Sequence, residues 1–201
     1  MMTWLPSGRE PRVLVFAVVG FWMASHWAHA AVMQYLTDQK LCELASIVVM
    51  GRITSVESVL ASDSKTVLSR ARLASIEYIK GPADPPSELE LVSVGGQVGD
   101  LATLCPGMPR FQTGEKVVVF LCPYDERSYR VLALSRGKYV VEHHPQNGAE
   151  VVKLDLVGLT QIDPQTGEEI PADLIPACHG KVYLEDLVST LKQAVVASRS
   201  K

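Results

Sequence analysis

Two long β-rich segments stand one after the other in this chain, and a strand pair of that length restricts the fold more than any other feature. Residues 47–59 are dominated by Ile, Val, Thr and Ser, with Gly51 among them. Residues 66–79 follow after the polar stretch 61–65, which reads as a hairpin loop. In the second segment Leu68, Arg70, Arg72, Ala74, Ile76 and Tyr78 alternate against Val67, Ser69, Ala71, Leu73 and Ser75. The apolar side is odd-numbered before Ala74 and even-numbered after it. A one-residue slip moves every following side chain to the other face of a strand, so a bulge is expected near Ala74. Gly51 marks a bulge or sharp coil in the partner segment.

The remaining elements are shorter. Residues 88–94 read as a third strand. Lys116, Val117, Val118, Val119, Phe120 and Leu121 form a continuous apolar run, as in a strand buried on both faces. Strands over 129–134, 138–143 and 150–154 complete a meander, with turns at Arg136-Gly137 and Asn147-Gly148. Residues 37–46 predict a short helix capped by Thr37 or Asp38, with Leu41, Leu44 and Ala45 on one face. Leu184, Leu187, Val188, Leu191, Ala194 and Val195 make the apolar stripe of a last helix that fades after Val196. The expected fold is mainly β: a small Greek-key, OB-like barrel with a short N-terminal helix and an amphipathic C-terminal helix. A β-sandwich is the alternative. Ile53, Leu73, Val117, Val119 and Leu187 are the expected core.

The first thirty residues carry an address. Arg9 and Arg12 precede an apolar run from Val13 to Ala24, and Ala28-His29-Ala30 follows. This is the pattern of a secretory signal peptide cleaved after Ala30. The run is about a dozen residues, short of the roughly 20 that span a bilayer. The expected product is an exported protein, periplasmic or extracellular, with no stable membrane span and one β-barrel domain over residues 31–201.

Composition then narrows the partners. The chain has 22 acidic against 19 basic residues. Arg9, Arg12 and Glu10 belong to the leader, so the acidic excess persists without it. Such a chain lacks the basic footprint of a nucleic-acid binder. All three tryptophans, Trp4, Trp22 and Trp27, also fall in the leader, which removes the best ring for stacking on sugars or cations. Cys42, Cys105, Cys122 and Cys178 all lie beyond it. Four cysteines in an oxidising compartment read as two disulfides with three possible pairings. Cys105–Cys122 with Cys42–Cys178 is preferred, because it joins the long loop to the neighbouring strand end and ties the terminal segments together.

No motif calls for a cofactor or a metal. Glu142-His143-His144 resembles ligand material, but adjacent strand side chains point to opposite faces, so only Glu142 and His144 can meet. Cys178-His179 reads as a cysteine beside a loop histidine. No nucleophile elbow, zinc-protease helix or phosphate loop is present. Gly95, Gly96 and Gly99 open a loop over 95–114 rather than a dinucleotide site, since no helix follows. Loops of roughly 20 residues without regular structure are usually functional or disordered. Cys105, Pro106 and Pro109 make this one stiff, and stiffness suits binding. Met108, Arg110 and Phe111 are its candidate contacts, although Phe111 also fits a plug at the barrel end.

The runs Ala45-Ser46-Ile47-Val48-Val49-Met50-Gly51-Arg52-Ile53, Ile76-Glu77-Tyr78-Ile79-Lys80-Gly81, Gly95-Gly96 and Phe111-Gln112-Thr113-Gly114-Glu115-Lys116 are similar to those of a family of exported bacterial proteins of unknown function. Arg136-Gly137-Lys138-Tyr139 and Asp163-Pro164-Gln165-Thr166-Gly167-Glu168 look like further landmarks of that family. The same order distantly resembles the netrin-like module of tissue inhibitors of metalloproteinases. That resemblance implies a Greek-key barrel with flanking helices and disulfides. Those inhibitors begin with a cysteine whose amine and carbonyl reach a protease zinc. Here cleavage would leave Ala31 first, so the zinc-chelating mode does not transfer. The expected function is a non-catalytic exported binding module for a protease or cell-envelope protein. The alternative is an enzyme with its site near Glu142 and His144 or in loop 95–114.

Overall fold

A computed structural model describes residues 31–199 of the 201-residue chain. The expected leader, residues 1–30, lies outside the described residues. In chain order the strands are β1 (Ala31–Gln34), β2 (Ile47–Leu60), β3 (Val67–Lys80), β4 (Leu89–Val94), β5 (Gly96–Val98), β6 (Leu101–Thr103), β7 (Lys116–Pro123), β8 (Ser128–Val131), β9 (Lys138–His143), β10 (Glu150–Leu154), β11 (Leu159–Ile162), β12 (Glu169–Ile170) and β13 (Val182–Tyr183). Helix α1 (Asp38–Leu44) lies between β1 and β2, and α2 (Leu184–Arg199) follows β13.

β2 and β3 pair antiparallel, from Leu60 against Val67 at the hairpin to Val48 against Lys80 at the far end. Their register shifts between the pairs Met50–Glu77 and Arg52–Ala74. Ser75 sits there with φ of 52°, in the left-handed region that non-glycine residues rarely enter. This is the expected bulge. It lets Ala71 and Leu73 before it, and Ile76 and Tyr78 after it, pack on the same core. Gly51 lies opposite, where an added Cβ would come within 2.9 Å of the Ala74 carbonyl oxygen.

The long pair curls into a ring. β2 pairs with β7 on its other side, β3 with β4, β4 with β8 in parallel, and β8 with β7. The β4–β8 seam is short, joining Glu90 and Leu91 to Ser128 and Tyr129. The result is a partly closed Greek-key barrel of five strands, the OB-like arrangement. β7 is its branch point. Residues 121–123 pair with β8, while residues 116–119 pair with β9, which carries β10 and β13 beyond the barrel.

β7 therefore separates two cores. Val117, Val119 and Leu121 point into the barrel with Ile53, Leu73, Leu91 and Phe111. Val118 and Phe120 point outward, against Tyr139, Val152, Leu41, Leu187 and Leu191. Burial on both faces explains the unbroken apolar run.

Helix α1 is held at both ends. The Thr37 side chain accepts the Lys40 amide at 3.2 Å. At the other end the Lys80 ammonium donates to the Cys42 carbonyl at 2.7 Å and the Ala45 carbonyl at 2.6 Å, a cation where the helix dipole favours one. Leu41 and Cys42 are buried. Leu44, expected on the same face, is half exposed. Helix α2 runs past Val196 to Arg199, longer than its apolar stripe. No helix among the described residues is long and apolar enough to cross a membrane.

β1, β11 and β12 form a small separate sheet. β1 lies parallel to β11, and the Ala31 amide donates to the Gly158 carbonyl at 2.8 Å. No alternating pattern in the sequence foretells this pairing.

The expected disulfides are not formed: Cys42, Cys105, Cys122 and Cys178 are free thiols. The Cys42 sulfur faces the Leu191 carbonyl on α2 at 4.0 Å. The Cys122 sulfur faces the Arg130 carbonyl on β8 at 3.7 Å. The pairings were expected to join the long loop to a strand end and to tie the terminal segments together, but side-chain direction sends these two sulfurs elsewhere. Burial and the neighbouring Asp38 carboxylate raise the Cys42 pKa to about 11, against a smaller opposing pull from Lys80. Its thiol therefore stays protonated at neutral pH.

Candidate functional site: a pinned ridge between two cavities

Loop 95–114 is more ordered than expected of a stretch without regular structure. Gly95 and Gly96, with φ of 130° and 126°, turn the chain out of β4 into the β5–β6 hairpin. Positive φ costs glycine little. The hairpin is tied to the barrel: the Val67 amide donates to Thr103 Oγ1 at 2.9 Å, and Ser69 Oγ donates to the Gly95 carbonyl at 2.8 Å.

Residues 104–110 then form a ridge whose carbonyls are pinned from below. The Ser135 amide donates to the Gly107 carbonyl at 2.9 Å. Ser93 Oγ, itself buried, donates to the Pro109 carbonyl at 2.8 Å. Lys138 Nζ donates to the Arg110 carbonyl. Pro106 and Pro109 remove further freedom. Phe111, next along, enters the barrel core and is 8% exposed. It fills the barrel end and at the same time lines one of the cavities beside the ridge. The Lys138 ammonium lies 4.8 Å from the centre of its ring.

Cavities flank the ridge. One, of about 820 Å³, has the ridge as one wall and residues 153–158 as the other. Its floor is Lys138, Val140 and Glu142 of β9, whose intervening residue Tyr139 turns to the opposite core. The second, of about 440 Å³, lies toward Ser69, Ser93 and the β5–β6 hairpin. Met108 and Arg110 line both, as does Cys105. Phe111 lines the second cavity as well, so all three expected contacts lie on cavity walls. The larger cavity closes where Gly107 and Gly158 meet: a Cβ on Gly107 would lie 3.2 Å from the Gly158 carbonyl oxygen, and one on Gly158 3.1 Å from the Gly107 nitrogen. Leu104 and Val157, at 75% and 83% exposure, are exposed apolar residues of its lining.

The charges in the larger cavity are unevenly matched. Lys138 is buried, and it pairs at 2.8 Å with the partly buried Glu115. Burial pulls the Lys138 pKa below its ordinary value, and Glu115 offsets part of that pull. Lys153 and Glu142 approach to 3.9 Å in the open, a contact worth little. Asp155 Oδ1 accepts the Val157 amide at 3.1 Å. Among the described residues neither Asp155 nor Arg110 has an ion-pair partner.

Beneath this site lies a group of residues that sequence reasoning did not foresee. Arg136 is only 2% exposed. Its Nη2 donates to Asp38 Oδ1 at 2.7 Å and its Nη1 to the Tyr139 hydroxyl at 2.9 Å. The Tyr139 hydroxyl donates to the same Asp38 oxygen at 2.6 Å. The rings of Tyr35 and Tyr139 flank the guanidinium at 5.5 and 5.6 Å. Burial alone would weaken the Arg136 charge, but Tyr139 and Asp38 outweigh it and hold its pKa above the ordinary value. Burial likewise raises the Tyr139 pKa and keeps the phenol protonated. Gly137 is required here, since a Cβ would overlap the Leu132 carbonyl oxygen. The stretch 135–139 therefore works in two directions: Ser135 and Lys138 pin the ridge, while Arg136 and Tyr139 anchor the N-terminal segment.

Of the residues named for an enzyme site, Glu142 meets loop 95–114 in the larger cavity, and His144, Cys178 and His179 are not in its lining. His144 Nδ1 accepts the Gln146 amide at 3.3 Å within the turn after β9. Cys178 and His179 sit in the short helical turn Pro176–His179. Among the described residues no three His, Cys, Asp or Glu side chains are grouped to hold a metal. No family model matches the chain, and no curated protein matches it.

Proposed function

We propose that this chain is an exported, non-catalytic binding module whose 104–110 ridge and adjoining cavity receive a protein of the exported or cell-envelope pool. The supporting observation is the pinned ridge. Its carbonyls at Gly107, Pro109 and Arg110 are held by Ser135, Ser93 and Lys138, while Leu104 and Arg110 stay in water. A surface ordered before docking loses less entropy on binding. Export rests on the leader-like pattern of residues 1–30, and proteases enter the partner class through the resemblance to netrin-like inhibitor modules.

A photo-reactive side chain at position 104, 157 or 196 tests this reading in cells. Positions 104 and 157 should cross-link one exported or envelope protein, and the equally exposed but remote position 196 should not. Equal cross-linking from 196 would place the binding surface elsewhere.

A further inference from the structure

We infer that the partner segment received by the larger cavity is an extended peptide carrying an acidic and a basic side chain on either side of an apolar one. This inference rests on the binding reading above and names the ligand class for the same site.

The argument is charge and polarity complementarity. The cavity holds three cations and three anions, Arg110, Lys138 and Lys153 against Glu115, Glu142 and Asp155. Lys138 with Glu115 and Lys153 with Glu142 account for four of them. Among the described residues Arg110 on the ridge wall and Asp155 on the facing wall make no ion-pair contact, although Asp155 adds to the field of Glu115 on Lys138. Between them the cavity offers Met108, Val140 and Leu154, with Leu104 and Val157 of its lining left in water. A ligand of a single charge would satisfy one wall and oppose the other. A zwitterionic segment satisfies both, and its apolar side chain covers surface that water now meets. Unmatched charges across an interface act mainly as discriminators, suppressing wrong partners and setting register.

The test uses the whole exported protein and a synthetic library of seven-residue peptides in which an apolar centre is flanked by Asp, Lys or Ser in all combinations. Peptides with one acidic and one basic flank should bind about tenfold more tightly than those with two like charges, with the preference reduced at high salt. Arg110→Glu should transfer the preference at its position from acidic to basic, and Asp155→Lys should do the reverse at the other. Both side chains are exposed, so both variants should melt close to the wild-type temperature. Peptides that bind and shift the side-chain resonances of Val140 and Val157, yet show no charge preference, would overturn this inference and leave the binding module standing. Absence of any peptide binding at millimolar concentration would overturn both.

Discussion

Arg136 and Asp38 stand 98 positions apart in the chain and meet at 2.7 Å, with the Tyr139 hydroxyl 2.6 Å from the same carboxylate oxygen. The guanidinium is almost completely buried, so its charge depends on that carboxylate. Removing one partner of a buried pair strands the other, which costs more than replacing both. Asp38→Ala should destabilise the protein by about 3 kcal/mol in urea unfolding. Asp38→Leu combined with Arg136→Leu should cost less than either change alone. Equal or additive losses would show that the pair is not coupled.

Val119 reports on the barrel. It is fully buried in the ring interior among Ile53, Leu73 and Val117. Val119→Asp places a carboxylate where no cation or donor awaits it, and should cost at least about 4 kcal/mol. Near-wild-type melting of this variant would mean that β7 is not the wall the ring requires.

Cys42 links stability to pH. Its folded pKa of about 11 lies above the ordinary 9.0. The folded state then binds the proton more tightly than the unfolded state. Its contribution is complete below pH 9 and is lost as pH rises through 11. Wild-type stability should fall by about 2 kcal/mol across that window beyond what Cys42→Ala loses. Parallel slopes for the two proteins would contradict the burial assigned to this thiol.

The thiols themselves can be counted. With all four cysteines free, the unfolded protein should titrate four thiols without reductant. In the folded protein Cys42 should be the slowest to alkylate, since it is buried and its thiolate is scarce at neutral pH. Two thiols, or none, would show that bridges form after all.

What was legible in the sequence was whatever depends on local pattern. The face swap at Ala74 reported the bulge at Ser75, because side-chain alternation has a period of two and a slip leaves a trace. The unbroken run in β7 reported burial on both faces. Asn147-Gly148 reported the β9–β10 turn. Long-range relationships left no such trace. Nothing near Ala31 says that it lies beside Leu159. Arg136 reads as a turn residue, because its partners Tyr35 and Asp38 sit about a hundred positions away. The ridge was legible as a stiff loop from its prolines, but the groups that pin it, the Ser93 and Lys138 side chains and the Ser135 amide, belong to other strands and turns. The cysteine pairings went wrong for the same reason: chain order carries no information about which way a sulfur points.

The central claim is that the ridge binds and does not merely plug. The direct measurement is capture, per folded molecule, of whatever protein cross-links at positions 104 and 157, alongside melting temperature, for Met108→Ala, Arg110→Ala and Phe111→Ala. Met108→Ala and Arg110→Ala should lower capture about tenfold and shift melting by no more than about 2 °C. Phe111→Ala should lose about 3 kcal/mol of stability through the cavity left in the barrel core. If Met108→Ala and Arg110→Ala instead lower the melting temperature and leave capture per folded molecule unchanged, the ridge is a structural plug and the binding surface lies on the strand faces.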